Sequence, residues 1–251
     1  MKSRENTIFG IHPILEALKS ELVIDKLFLQ KESNNSKMHE IITICEKKDV
    51  TINYVPIEKL NRLTKGNHQG VVAITSPISF HSLESLVENI IQEKEKPLFL
   101  ILDQLSDVRN FGAIIRTAEC TGVDAIIIQK KGGAPVTGDT IKTSAGAIFK
   151  IPICKVDHIK DAIFYLKASN IITIAATEKT NETIYDLSLN SPIAIIMGSE
   201  GKGVSKSVLN IVDQKAALPL LGDINSLNVS VACGVFLYEV VRQRQSSDLN
   251  L

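Results

Sequence analysis

No stretch of this 251-residue chain stays apolar for the roughly 18 residues that a membrane-crossing helix needs, and its start, MKSRENT, lacks the apolar core of a secretory leader. These two absences lead us to expect a cytoplasmic protein. Paired cysteines are missing too. Cys45, Cys120, Cys154 and Cys233 lie far apart with no CxxC pair, each inside an apolar pattern where a thiol behaves as a small hydrophobe. Free thiols and no structural metal are expected. A surplus of either charge is also absent: 28 basic and 28 acidic residues cancel, and they cancel separately on either side of Lys96. That excludes the global electrostatic footprint of a nucleic-acid binder and leaves only local patches for such a role. What remains is ordinary for a globular protein, 44% hydrophobic and 22% charged, with enough chain for one large or two small domains.

Residues 1–76 alternate between helical and strand patterns. IHPILEALKS reads as a helix, VIDKLFLQ as a strand, SKMHEIITICEKK as an amphipathic helix and VTINYVP as a strand; a short helix at Ile57 to Leu63 precedes the turn and strand of LTKGNHQGVVAIT. This is a self-contained α/β unit of about 75 residues, near the lower limit for folding alone. Its turn carries Lys59, Arg62, Lys65, Asn67 and His68, which reads either as a solvated loop tip or as a patch that grips phosphates. Residues 77–96 read as a connector with one charged amphipathic stretch, SLESLVENIIQEKEK. From residue 97 to 251 the strands LFLILD, DAIIIQ, IITIAAT and IAIIMG are almost wholly apolar, as strands buried on both faces must be. They predict a parallel sheet with helices on both sides.

Sheets of that kind bind ligands beyond the carboxyl ends of their strands. Three loops stand at such ends. The last, LPLLGDINSLNVSVA, leads into a long helix whose Val229, Ala232, Cys233, Phe236, Leu237 and Val240 keep helical spacing. Asn225, Ser226, Asn228 and Ser230 crowd its entrance, more polar groups than a cap requires, so a ligand-facing mouth is expected. The middle loop, IMGSEGKGVS, has Gly198, Gly201 and Gly203 without either phosphate-loop spacing, and Glu200 sets a carboxylate where phosphates would have to lie. Such a pocket suits a ligand without phosphates and with positive charge. S-adenosylmethionine, an adenosine joined to a cationic sulfonium, meets that description, as other ligands do. In the first loop, LDQLSDVRNFGAIIRTAECTG, Asn110 is placed to cap a helix that runs to Thr121. Gly112 and Arg116 share a face, and the missing side chain at Gly112 is expected to let a ligand approach the guanidinium. Arg116 stands off the apolar face of Phe111, Ile114, Ile115 and Ala118, either as a solvent arginine or as a reader of phosphate and ribose.

Taken together, the three loops resemble the three motifs of the SpoU/TrmH family of RNA ribose 2′-O-methyltransferases, within the knotted SPOUT superfamily: NFGAIIRTA with Asn110 and Arg116, IMGSEGKGVS with Glu200, and LPLLGDINSLNVSVA with Ser226 and Asn228. FGIHPILEAL and NHQGVVA resemble the substrate-binding module of the branch that methylates a guanosine of 23S rRNA, a module similar to a small α/β fold of several ribosomal proteins. The resemblance implies an α/β protein whose 97–251 segment is a SPOUT domain with a parallel sheet and a deep trefoil knot. It implies a homodimer, with S-adenosylmethionine held near Thr177, Gly198, Leu218, Leu227 and Asn228. The catalytic set would be Asn110, Arg116, Glu200, Ser226 and Asn228, with Arg116 reaching the partner's cofactor. Arg62, Lys65, His68 and Arg109 would contact RNA. Two positions depart from the family pattern: Val108 stands where proline is frequent and Leu218 where isoleucine is common.

The implied reaction moves a methyl group to a ribose hydroxyl, which needs its proton removed or polarised. The family role falls on Arg116, although an arginine pKa above ~12 makes neutral guanidine rare unless burial and a nearby cation depress it. The alternative is that Arg116 grips the adjacent phosphate and aligns the hydroxyl, with positioning supplying most of the acceleration. A tRNA substrate, a non-catalytic RNA-binding relative and a dehydrogenase-like nucleotide binder are the competing classes. The last lacks its glycine fingerprint here.

Overall fold

The computed structural model describes residues 6–31 and 36–248, with the side chains of 247 and 248 left aside. Met1 to Glu5, most of the start considered above, lie outside the described residues. The chain forms two compact units, one reaching to Ser79 and including Pro135–Gly138, the other comprising Phe80–Ala134 and the chain from Asp139 onward.

In the first unit, β1 (Thr7–Phe9), α1 (Ile11–Lys19), β2 (Ile24–Gln30), α2 (Ser36–Lys47), β3 (Thr51–Val55), α3 (Ile57–Leu63) and β4 (Val71–Thr75) follow in order. The sheet order is β1-β4-β2-β3, with β2 and β3 parallel and β4 antiparallel to both neighbours. Leu27, Leu29, Val71 and Ala73 turn the same way from their strands and meet Ile14, Leu18, Ile41 and Cys45 of α1 and α2 in one core. Strand β1 escaped the periodicity because three residues are too few to display alternation.

The second unit starts with a surprise in the expected connector. Residues 83–93 are α4 (Leu83–Glu93), whose Leu83 and Val87 are buried in this unit's core. Next come β5 (Leu98–Leu102), α5 (Val108–Cys120), β6 (Ala125–Gln129), α6 (Gly138–Thr143), β7 (Ile153–Val156), α7 (Ile159–Ala168), β8 (Ile172–Ala176), β9 (Ile193–Met197), α8 (Lys206–Leu209), β10 (Gln214–Ala216) and α9 (Val229–Asp248). The six strands are all parallel, in the order β10-β8-β9-β5-β6-β7. Every residue of β5 and of β9 is buried, as their apolar runs required.

This order fixes where a ligand can go. From β5 the chain builds outward through β6 and β7, then crosses to β8 and returns to lay β9 between β8 and β5. The connections leaving β5 and β9 therefore diverge, so the carboxyl end of β9 stands at a switch in strand order, where such sheets bind ligands. Helix α9 packs against β9 and α5. Val229, Cys233, Phe236, Leu237 and Val240 are buried along it, while Ala232 is half-buried.

Three of the cysteines are small hydrophobes in fact. Cys45, Cys154 and Cys233 are fully buried, and burial pushes their thiols up to about 11, 12 and 12. Cys120 is exposed, contrary to the expectation that each cysteine is buried. It ends α5 on the side turned away from Phe111, Ile114, Ile115 and Ala118.

Candidate functional site

The loop after β9 closes on itself. Ser199 and Gly203 exchange backbone hydrogen bonds of 3.2 and 2.9 Å, which lifts Glu200 to the tip. The turn is tight enough that a side chain on Gly198 would lie 2.0 Å from the Gly203 carbonyl carbon, so only glycine fits there. Beyond the turn, Ser205 N donates to Asp103 Oδ2 at 2.8 Å. Asp103 is only 2% exposed and directly follows β5, so it fastens the β9 loop to the neighbouring strand end. The sequence reading missed Asp103. Its signal was a lone carboxylate closing an otherwise apolar strand.

Asn228 joins all three loops. Its backbone carbonyl accepts from Ala232 N at 2.9 Å, and its Oδ1 accepts from Ser230 N at 2.9 Å and Val231 N at 3.4 Å, so it caps α9. Its Nδ2 donates to Glu200 Oε1 at 2.8 Å and to Asn110 Oδ1 at 3.1 Å. Only an amide has both the acceptor for the cap and the donors for the bridge.

Asn110 is not the cap of α5. Asp107 is: its Oδ1 accepts from Asn110 N at 2.8 Å. A carboxylate three residues upstream does the capping equally well, which puts Asn110 within the first turn and leaves its side chain for Asn228. Val108, the first residue of α5, sits where proline is tolerated, and a valine does no harm there. Gly112 also differs from expectation. A side chain there would sit 1.8 Å from Thr143 Oγ1, so α6 fills the space that was assigned to a ligand. Arg116 is exposed, off the buried face of α5, and makes no hydrogen bond or ion pair with any described residue. Arg109 is exposed in the same way.

At the carboxyl ends of β8, β9 and β10 lies a cavity of about 510 Å³, within the range of small-molecule sites. Ala176, Met197, Ala216 and Phe236 give it an apolar lining. Thr177, Gly198, Leu218, Leu227 and Asn228, the five positions expected to hold a cofactor, all line it, as do Ser226 and Glu200. Ser226 is exposed and makes no hydrogen bond with a described residue. Asn110 and Arg116 do not line the cavity. Glu178, which was not foreseen, adds a second carboxylate, against Lys202 as the cation among the lining residues. An adenosine carrying a cationic sulfonium fits that combination of apolar walls and acidic groups; a polyphosphate does not.

In the first unit, Arg62 and Lys65 are exposed and make no ion pair with a described residue. His68 is different. It is 8% exposed, its Nδ1 accepts from Gly70 N at 3.0 Å, and its Nε2 lies 3.0 Å from Asn61 Oδ1. Both ring nitrogens are engaged inside the loop, where the imidazole holds the turn in shape.

Residues 97–238 match the SpoU rRNA Methylase family, and residues 7–81 match the family described as RNA 2′-O ribose methyltransferase substrate binding. The chain belongs to the SpoU rRNA methylase family. A relative in Bacillus subtilis (strain 168), YacO, is assigned to the TrmH family of tRNA/rRNA methyltransferases; it is 34% identical over 97% of this chain and 98% of its own. Two solved structures share the fold. The AdoMet-bound rRNA methyltransferase from Sinorhizobium meliloti is 23% identical, with a TM-score of 0.61 over 94% of this chain and 87% of that one. The TrmH/SpoU tRNA modifying enzyme of A. aeolicus is 27% identical, with a TM-score of 0.57 over 66% of this chain and 86% of its own.

Proposed function

We propose that this SpoU-family protein is an S-adenosylmethionine-dependent methyltransferase acting on a ribose 2′-hydroxyl, that of a guanosine in 23S rRNA. The observation that carries the proposal is the Asn228 amide, which draws Asn110 and Glu200 together at the mouth of an acidic, apolar-walled cavity. An AdoMet-bound structural neighbour supports the cofactor. Ribosomal RNA is favoured because that rRNA enzyme matches both units, whereas the tRNA modifying enzyme matches 66% of the chain.

Bound S-adenosylmethionine supplies an electrophilic methyl group on a cationic sulfur. Thr177, Gly198, Leu218 and Leu227 line its place, and Glu178 and Glu200 offer the negative charge that favours a sulfonium. Asn228 and Asn110 hold the loops in register for the incoming ribose, and Ser226 offers a free hydroxyl at the rim. Arg116 would act on the substrate, gripping the phosphate beside the target ribose and aligning its hydroxyl for the methyl group.

A homodimer and a threaded C-terminal segment belong to the same proposal, as does a cytoplasmic location. The dimer is supported by Val231 and Tyr238 on α9, more than half exposed with Tyr185 beside them. The threading is supported by the path from β10, at one edge of the sheet, back to α9 against the central β9. Residues 1–76 are the RNA-reading domain in this proposal and 97–251 the methyltransferase domain, whose core α4 joins from the stretch between them, with Arg62 and Lys65 contacting phosphates.

The deciding experiment incubates the purified protein and tritiated methyl donor with 23S rRNA and, separately, with bulk tRNA. Label is expected in 23S rRNA, and nuclease digestion should release it as 2′-O-methylguanosine. Label confined to tRNA would establish the alternative substrate, and donor binding without transfer would indicate a non-catalytic relative. Replacing Arg62 and Lys65 by Ala should lower the slope of log K against log salt by roughly one to two units.

A further inference from the structure

Phe149 is 59% exposed, although Phe99, Phe111 and Phe236 of the same unit are buried. It ends a 3-10 turn, Ala147–Phe149, in which Ala147 and Ile148 are buried. Ala145 and Gly146, both at positive φ (50° and 83°), reverse the chain just ahead of it. The next residue, Lys150, places its Nζ 3.3 Å from Glu119 Oε1, which fastens the turn to α5. Glu119 is three residues beyond Arg116 on that helix.

The same side of α5 carries further cations. Arg109 and Arg116 are seven residues apart, nearly two full turns, and so lie in one stripe. The contact of Gly112 with Thr143 brings Lys142 beside the same helix. Arg109, Arg116 and Lys142 are exposed and make no ion pair with a described residue. Of the carboxylates on α5, its cap and α6, Asp107 holds the cap, Glu119 is paired with Lys150, and Asp139 is exposed in the first turn of α6. The result is an exposed aromatic ring at one end of α5 and, along the same helix, three cations without an ion pair among the described residues, in a protein whose overall charge is zero.

We propose that this side of α5 is a second RNA-contact surface, in the methyltransferase unit itself: Phe149 stacks on a base of single-stranded RNA flanking the target nucleotide, and Lys142 and Arg109 hold its phosphates. Stacking on an exposed ring requires an unpaired base, so the surface selects single strands over duplex. This rests on the RNA methyltransferase proposal and adds a contact to it beyond the first unit.

The chain contains no tryptophan, so Phe149→Trp introduces a sole indole at the stacking position. Titrating that variant with single-stranded octaadenylate should quench its fluorescence to saturation, while an RNA duplex of equal length should leave it nearly unchanged. Phe149→Ala should weaken octaadenylate binding by roughly five- to a hundred-fold, without altering S-adenosylmethionine affinity or sedimentation. Replacing Lys142 and Arg109 together by Ala should lower the salt slope on the single strand by about 1.4, the value for two phosphate contacts. If the indole is silent while the unaltered protein binds octaadenylate, the surface is not the contact, although the methyltransferase proposal survives. A change in sedimentation on Phe149→Ala would make the patch a protein interface and overturn the inference. An unaltered protein that neither binds nor methylates any RNA would overturn both.

Discussion

The side-chain nitrogen of Asn228 lies 2.8 Å from Glu200 Oε1, and this bond between residues 28 positions apart fixes the tip of one loop to the start of α9. Asn228→Ala removes both the bridge and the cap, so it should lower stability by about 1 kcal/mol in thermal or chemical denaturation and abolish methyl transfer. Asn228→Asp retains a capping oxygen yet sets a carboxylate against Glu200, and it should be equally inactive. Normal turnover by the aspartate variant would show that the amide bridge is dispensable.

Arg116 contributes nothing visible to the fold of the single chain, since it is exposed and has no partner among the described residues. Arg116→Ala should therefore leave melting temperature and cofactor affinity nearly unchanged while methyl transfer collapses. Mixing it with an Asn228→Ala protein should restore some activity if each site borrows from both protomers. Turnover of the single variant within a few-fold of the parent protein would remove Arg116 from the chemistry.

Gly112→Ala tests whether α6 closes off the space beside Gly112. The added methyl would meet Thr143 Oγ1 at 1.8 Å and Thr143 Cβ at 2.6 Å, an overpacking expected to cost about 1–3 kcal/mol. Pairing it with Thr143→Gly should recover part of the loss. A single variant as stable as the parent protein would mean that α6 moves freely away.

Acid should loosen the β10 edge of the sheet. Burial alone would raise the Asp213 pKa, but hydrogen bonds from Lys167 and from Thr173 N and Oγ1 outweigh it and hold the carboxyl below its ordinary 3.8. A pKa depressed by folding contributes stability that is present above the unfolded value and lost as pH falls through the folded one. Asp213→Asn should therefore be less stable than the parent protein near pH 7 and approach it below about pH 4. Denaturation midpoints measured across that range check this; parallel curves for the two proteins would contradict it.

The amphipathic α1, α2 and α7 and the apolar β5, β6, β8 and β9 were legible because their patterns follow from burial on one face or two, a local requirement that repeats along several residues. Strands β1 and β10 were not. Each has three residues, and β10 reads Gln-Lys-Ala, so its place at the sheet edge depends on β8 supplying the hydrogen bonds. The amphipathic pattern of α4 shows that one face is buried and not what covers it, so its place in the second unit's core is not legible from sequence.

At the site, residue types and loop membership were set by sequence alone: Asn110, Glu200 and Asn228 stood out as polar groups beside apolar elements. Which groups touch was decided only in three dimensions. Asp107 took the cap expected of Asn110, Thr143 filled the gap at Gly112, and His68 turned inward. Each outcome depends on a neighbour that no spacing rule can supply, since a hydrogen bond or a steric contact is settled by whichever atom arrives within about 3 Å. The order of the sheet brings β5 and β9 side by side, and with them Asn228 to residues 28 and 118 positions away.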